Sequence, residues 1–465
     1  MRPRCTGLLF AIFILLAGLS RTFAQEAVLS TSAAGLPAVE APTRVLASWR
    51  EAKGLLVKHQ PSLQQQLAAV GRAGAGVKQA LSRLLPQLEL GVGTDYAFVR
   101  PSPENVFEDG EFVGQVYVHE TLDSRSLVPR ATATFSITFS LANLVSHESA
   151  SVGLSAERHA LRATRHRLIG TLASTLLGVL GAERVAAQNL VGLEAAGERM
   201  RLTERLVQLG RATEMDIARF AQDLHEAEAN VVSANESLSQ AREQLGQALG
   251  VAQPVAIADG FEVLALLSPT ASGCVPLAEL DQRPDLMAAR ARQRAAKLAS
   301  NAASLAYLPE IRLGSQYVMS YAPTTAVAFD GEPDVLHTWT ASANLVWTAF
   351  DGGARAAGVS GATADLRSSG ADREANRIQA VTEVRRTNRL VTIARSNADI
   401  ARRNVAAARK LDALSRKSLE FGTASALEVV DAARRLRVSE ITLAVRDVEL
   451  ISARVRAHMA KAVCR

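Results

Sequence analysis

The sequence predicts a mixed α and β protein in which one unit, two strands followed by a very long helical hairpin, is written twice. Three observations predict it. Gln60-Pro61-Ser62-Leu63 returns as Arg283-Pro284-Asp285-Leu286, and Leu85-Pro86-Gln87-Leu88 as Leu308-Pro309-Glu310-Ile311, both at an offset of 223 residues. Aromatic residues gather in two islands: of 21 Phe, Trp and Tyr, seven lie in 96–139 and seven in 307–350. A glycine suited to ending one helix stands before a Thr or Ser suited to starting another, with an acid one turn further on. This occurs at Gly210, Thr213 and Asp216 and again at Gly422, Ser425 and Glu428, so spacing, strand phase and reversal motif agree on a tandem repeat.

The chain opens with Arg2 and Arg4, an uncharged apolar run over 8–19 and the small-residue site Thr22-Phe23-Ala24, the pattern of a secretory signal peptide over 1–24. The run is too short to span a membrane, and the mature chain is expected to start at Gln25. No cysteine stands just after that site, so no N-terminal lipid anchor is expected. Cys5 leaves with the signal; for Cys274 and Cys464, a disulfide and two separate thiols both suit an exported chain. No later stretch approaches eighteen uncharged apolar residues, so a helical membrane protein is not expected. The formal charge of +6 includes the two signal arginines, and acids and bases interleave through the rest. This argues against a nucleic-acid-binding stripe.

Residues 25–43 read as an extended segment. The first repeat, 44–250, begins with a helix over 44–84 interrupted at Gln60-Pro61. A strand over about 87–99 follows, because Leu88, Leu90, Val92, Tyr96 and Phe98 alternate with polar or small residues. A polar loop over 100–130 leads to a second strand over about 131–142. A helix from about residue 149 reaches the reversal at 210–213 and returns to Leu249. An irregular linker over 251–276, rich in Pro and Gly, precedes the second repeat, 277–465. That repeat has a helix, strands over about 310–321 and 338–350, and a helix opened by Asp351-Gly352-Gly353. It reverses at 422–425 and returns to about Ala462. Helices of roughly sixty residues are on the order of 80–90 Å long, a length suited to coiled-coil packing.

Strands with one apolar face and aromatic ends fit a transmembrane barrel or a two-sheet soluble domain equally well. Count and context favour the barrel, but four strands cannot close one, since about eight are needed and lipid tolerates no open edge. Several chains must then share a barrel, with the helices continuing it on one side.

The repeat order, the Arg283-Pro284-Asp285-Leu286 and Leu308-Pro309 pair, Phe350-Asp351-Gly352-Gly353 and the twin Gly-to-acid reversals together resemble the TolC-like outer membrane efflux proteins, over nearly the whole mature chain. The resemblance implies a homotrimer in the outer membrane lipid of a Gram-negative bacterium, with four strands per chain in a twelve-stranded barrel. The helices would form a periplasmic coiled-coil tunnel, with the linker and chain ends as a belt around its middle. It also implies a periplasmic adaptor and an inner-membrane transporter as partners, which together pass drugs, metals or proteins outside. In the family, acids after the second reversal narrow the periplasmic entrance; here these are Glu428 and Asp431, with Asp216 at the first reversal. Leu209, Gly210, Phe421 and Gly422 would present the tips to the adaptor. One departure is Ala424, where family members that lock the entrance place an arginine; here Arg211 follows the first glycine instead.

Simpler roles compete for these residues. Glu428 can cap Ser425 and Asp216 can cap Thr213, whereas Asp431 suits no cap. His159, Arg162 and His166 share a helix face, where the interposed cation argues for a solvated basic patch rather than a metal site. No catalytic site, cofactor or nucleic-acid partner is expected. The competing function is a periplasmic coiled-coil structural or adhesin-like protein without a pore.

Overall fold

The structure, a computed structural model, describes residues 36–37, 39–98, 104–108, 111–116, 125–259, 261, 274–277, 279–322, 334–421 and 423–464. The expected signal peptide, most of the extended segment and Gly422 lie outside these residues.

The first element is a strand, β1 (Arg44–Leu46), where a helix was expected from residue 44. The helix is held back because Ser48 is its N-cap and its hydroxyl accepts from the Glu51 amide at 3.3 Å, which sets the start of α1 (Trp49–His59). Gln60, preceding Pro61, is extended and ends that helix; Pro61 opens α2 (Pro61–Ser82). β2 (Gln87–Phe98) follows. The expected polar loop contains a small hairpin of β3 (Glu104–Glu108) and β4 (Glu111–Val116). β5 (Arg125–Phe139) starts and ends earlier than the expected 131–142, and α3 (Leu141–Gln208) begins at once rather than near residue 149.

α4 (Glu214–Leu249) completes the first hairpin. The linker is less irregular than expected. Its β6 (Val255–Ile257) pairs in parallel with β1, and its β7 (Cys274–Pro276) pairs antiparallel with the chain's last strand. The second repeat runs through α5 (Pro284–Leu305), β8 (Glu310–Ala322), β9 (Asp334–Val346), α6 (Ala354–Glu420), α7 (Ala426–Met459) and β10 (Ala462–Cys464). β9 lies earlier than the expected 338–350, leaving Trp347 beyond its end. No proline interrupts 141–249 or 351–465, so α3 and α6 continue unbroken for 68 and 67 residues, about 100 Å each.

β2, β5, β8 and β9 form one antiparallel sheet in that order. Its register puts apolar residues in rows across all four strands: Leu90 faces Ala133, Ala133 faces Tyr317, and Tyr317 faces Trp339. The row through Leu88, Phe135, Ser315 and Ala341 shares that face. Alternate rows are polar, such as Glu89, Thr134, Gln316 and Thr340, because side chains change face at every residue. The apolar face is bare: Leu90 is 74%, Val92 91% and Trp339 70% exposed. β2 and β9 are the edges of this sheet.

The largest core lies along the helices instead. Trp49, Leu55 and Leu56 of α1 pack with Ile169, Leu172, Leu176 and Leu177 of α3, Leu245 and Leu249 of α4, and Val455 and Met459 of α7. Burying each large aliphatic side chain stabilises this junction by about 1.5–3 kcal/mol. α3 also contains an 18-residue window of mean hydropathy 1.3, an apolar stretch the sequence reading passed over. Leu172, Leu176 and Leu177 of α3 are among the buried residues of this junction.

Candidate functional site: the two helical reversals

α3 ends at Leu209 and turns through Gly210, whose φ of +67° is the left-handed conformation glycine adopts without strain. The Arg211 amide donates to the Leu206 carbonyl at 2.8 Å and the Gly210 amide to the Val207 carbonyl at 2.9 Å, a Schellman closure. Thr213 then caps α4. Its hydroxyl accepts from the Asp216 amide at 3.3 Å, its own amide donates to the Asp216 carboxylate at 3.0 Å, and its hydroxyl donates to the same oxygen at 2.8 Å. The Thr213 amide, then its hydroxyl, hold the Asp216 carboxyl below the usual range, with a smaller contribution from Arg219. Asp216 is thus engaged as a capping acid.

The second reversal follows the same plan more loosely. The Thr423 amide donates to the Ser418 carbonyl at 2.9 Å, spanning the same interval as Arg211 to Leu206. Ser425 and Glu428 form a reciprocal capping box with both bonds at 3.4 Å. Asp431 pairs with Arg435, one turn on, at 2.8 Å, a partner the sequence reading missed. Half of the Asp431 side chain stays exposed, so the pair contributes at most about 1 kcal/mol and leaves the carboxylate accessible. Leu209 and Phe421 project into solvent, 69% and 80% exposed. Gly422 lies outside the described residues. Ala424 is half-buried and Arg211 is exposed.

Behind the tips lies a charge cluster that joins the two hairpins. Asp223 of α4, 3% exposed, accepts from Arg199 of α3 at 2.6 Å and from Arg437 of α7 at 3.5 Å. Glu226 takes Arg434 at 3.1 Å and lies 4.0 Å from Arg437. Arg437 fits because α3 has a glycine opposite: a Cβ at Gly192 would stand 2.7 Å from the arginine Cδ. The signal in the sequence was spacing. Asp223 occupies a core position between Phe220 and Ala227, where only a paired acid is tolerated.

At the far end of the same hairpins, the structure corrects the solvated basic patch. His166 is half-buried and its Nε2 lies 3.1 Å from the Met459 carbonyl at the end of α7. Burial, then the Arg283 guanidinium, push its pKa below the ordinary histidine value, against the pull of that hydrogen bond. Arg283 also donates to Asp285 at 2.8 Å and to the Ala460 carbonyl at 3.2 Å, and pairs with Glu383 at 2.9 Å. Arg283 of the Arg-Pro-Asp-Leu motif, held by Asp285, therefore anchors the end of α7.

A four-stranded amphipathic sheet continued by two hairpins of very long helices sets the architecture in which the two reversals stand. The chain belongs to the outer membrane efflux protein family, whose sequence profile matches residues 54–251 and 275–456. Membership makes it an outer membrane efflux channel and not an enzyme. A comparison with curated proteins finds no match. Among solved structures, the chain is similar to a membrane protein from Pseudomonas aeruginosa, with a TM-score of 0.73 and 21% identity over 92% of this chain and 96% of that one. It is also similar to the CmeC outer membrane channel of Campylobacter jejuni, with a TM-score of 0.72 and 16% identity over 88% and 84%. The outer membrane protein VceC of Vibrio cholerae matches with a TM-score of 0.71 and 16% identity over 90% and 96%.

Proposed function

We propose that three copies of this chain close one twelve-stranded barrel in the outer membrane, β9 of each copy pairing with β2 of the next, and that the helices continue as a periplasmic tunnel. The observation that carries this reading is the sheet itself, which has two unpaired edges and a bare apolar face; lipid accepts the face but not the edges. The tunnel acts passively on substrates delivered by an inner-membrane transporter through a periplasmic adaptor. Leu209, Gly210, Phe421 and Gly422 form the tips that meet the adaptor. Glu428 and Asp431 line the periplasmic aperture, where three copies of each crowd like charges and draw in cations; Asp216 contributes less because its cap holds it.

The test is to extract the protein from outer membranes with detergent, count subunits by native mass spectrometry and reconstitute it in a planar bilayer. Trimers with discrete ion conductance are expected. Monomers, or trimers that conduct nothing, would overturn the proposal.

A further inference from the structure

Cys274 and Cys464 are separated by most of the second repeat, yet β7 and β10 pair them as direct partners: Ala462 opposite Pro276, Val463 opposite Val275 and Cys464 opposite Cys274. The pairing is fastened beyond these strands, because the Leu277 amide donates to the Lys461 carbonyl at 2.8 Å and Arg283 holds the Ala460 carbonyl. Ala460 and Ala462 are themselves buried, at 3% and 1% exposure. Register there is tied to the core and cannot slip without undoing it. Opposed residues of an antiparallel pair have Cα atoms about 4.5 or 5.5 Å apart, according to the type of pair. Both spacings fall within the roughly 4.4–6.8 Å that a disulfide bridges.

We infer that Cys274 and Cys464 form a disulfide that staples the end of the chain to the inter-repeat linker and closes the second repeat into a covalent loop. The inference rests on the outer membrane location, which puts this end of the helices in the oxidising periplasm, and not on the barrel or its trimeric state. Oxidation removes two protons and two electrons from the pair. The acceptor is a disulfide-carrying thiol oxidant of that compartment. One cysteine thiolate attacks its disulfide to give a mixed disulfide, the second displaces the carrier, and the carrier leaves as a dithiol. With Cys5 removed in the signal peptide, no third cysteine competes.

The experiment uses the full mature protein, purified from outer membranes without reductant, denatured in the presence of an alkylating agent and digested with trypsin. The expected result is no alkylated cysteine, with peptide 462–465 joined to peptide 243–290, and both cysteines alkylated only after reduction. Cys464→Ser should leave Cys274 open to alkylation, and the oxidised wild type should migrate faster than this variant in a non-reducing denaturing gel. Alkylation of both cysteines without reduction would overturn the inference, as would reductant-sensitive links between two chains. Conductance of the reduced protein is read in parallel, so that failure of the staple and failure of the channel reading are separately visible.

Discussion

The two reversals share one plan and differ in how tightly their acids are held. At the first, Asp216 receives bonds from both the amide and the hydroxyl of Thr213, at 3.0 and 2.8 Å. At the second, Glu428 is held by one bond of 3.4 Å, and Asp431 has only an exposed arginine beside it. A motif that fixes one carboxylate as part of a helix end thus leaves two others more loosely held. The duplicated turn has one copy that is mainly structural and one that carries accessible charge.

The largest effect should come from separating the two hairpins. Asp223→Ala leaves Arg199 and Arg437 buried without their acid, a change that typically costs about 3–5 kcal/mol. A clear fall in the thermal unfolding midpoint is expected in detergent, with Asp223→Asn retaining part of the stability. An unchanged midpoint would mean that the hairpins are held together elsewhere.

Next comes the contrast between the acids. Replacing both Glu428 and Asp431 with Ala should weaken block by multivalent cations about tenfold in single-channel recordings, equivalent to roughly 1.4 kcal/mol. Asp216→Ala should leave block unchanged. If Asp216→Ala weakens block as much as the double change, the assignment of roles to the two turns is wrong.

Smaller effects follow from the caps. Thr213→Ala should speed hydrogen exchange in the first turn of α4 by an amount near the upper part of the 0.5–2 kcal/mol range for lost N-caps, and Ser425→Ala should affect α7 less. Asp216 has a depressed pKa, so its share of the first cap is present above the ordinary aspartate range and is lost as pH falls through the depressed value. Equal exchange in the two variants would remove the difference in tightness.

The smallest effect is expected at the far end of the hairpins. His166 resists protonation in the folded chain, so unfolded molecules take up that proton first as pH drops below the ordinary histidine value of about 6.5. Stability should be full above that pH and decline gently below it, and His166→Gln should flatten the slope while still donating to the Met459 carbonyl. A wild-type stability that rises on acidification would contradict this account.

Much of this was legible because period survives in sequence. Leu88, Leu90 and Val92 announced both the strand and its face, and the Pro61 and Pro284 matches announced the repeat. β1, β6, β7 and β10 were not legible, since three residues contain no period and their pairings are far apart in the chain. The start of α3 was missed because Ser140 offers no side-chain cap bond to mark it. Asp223 was missed because one acid in an Ala-rich helix looks like surface until its neighbours at three- and four-residue spacing are counted. Asp431 was singled out for lacking a cap, but its partner Arg435 lies one turn on, where many charged helices place a cation.

The bare edges of the sheet also bear on the life of the chain before it reaches its destination. β2 and β9 each present a row of unsatisfied backbone groups beside side chains that water does not favour, and such an edge bonds to any extended chain it meets. A single copy in transit is therefore a hazard to itself and its neighbours. Under the proposed assembly, export, folding and pairing with sister copies must outrun the wrong encounter.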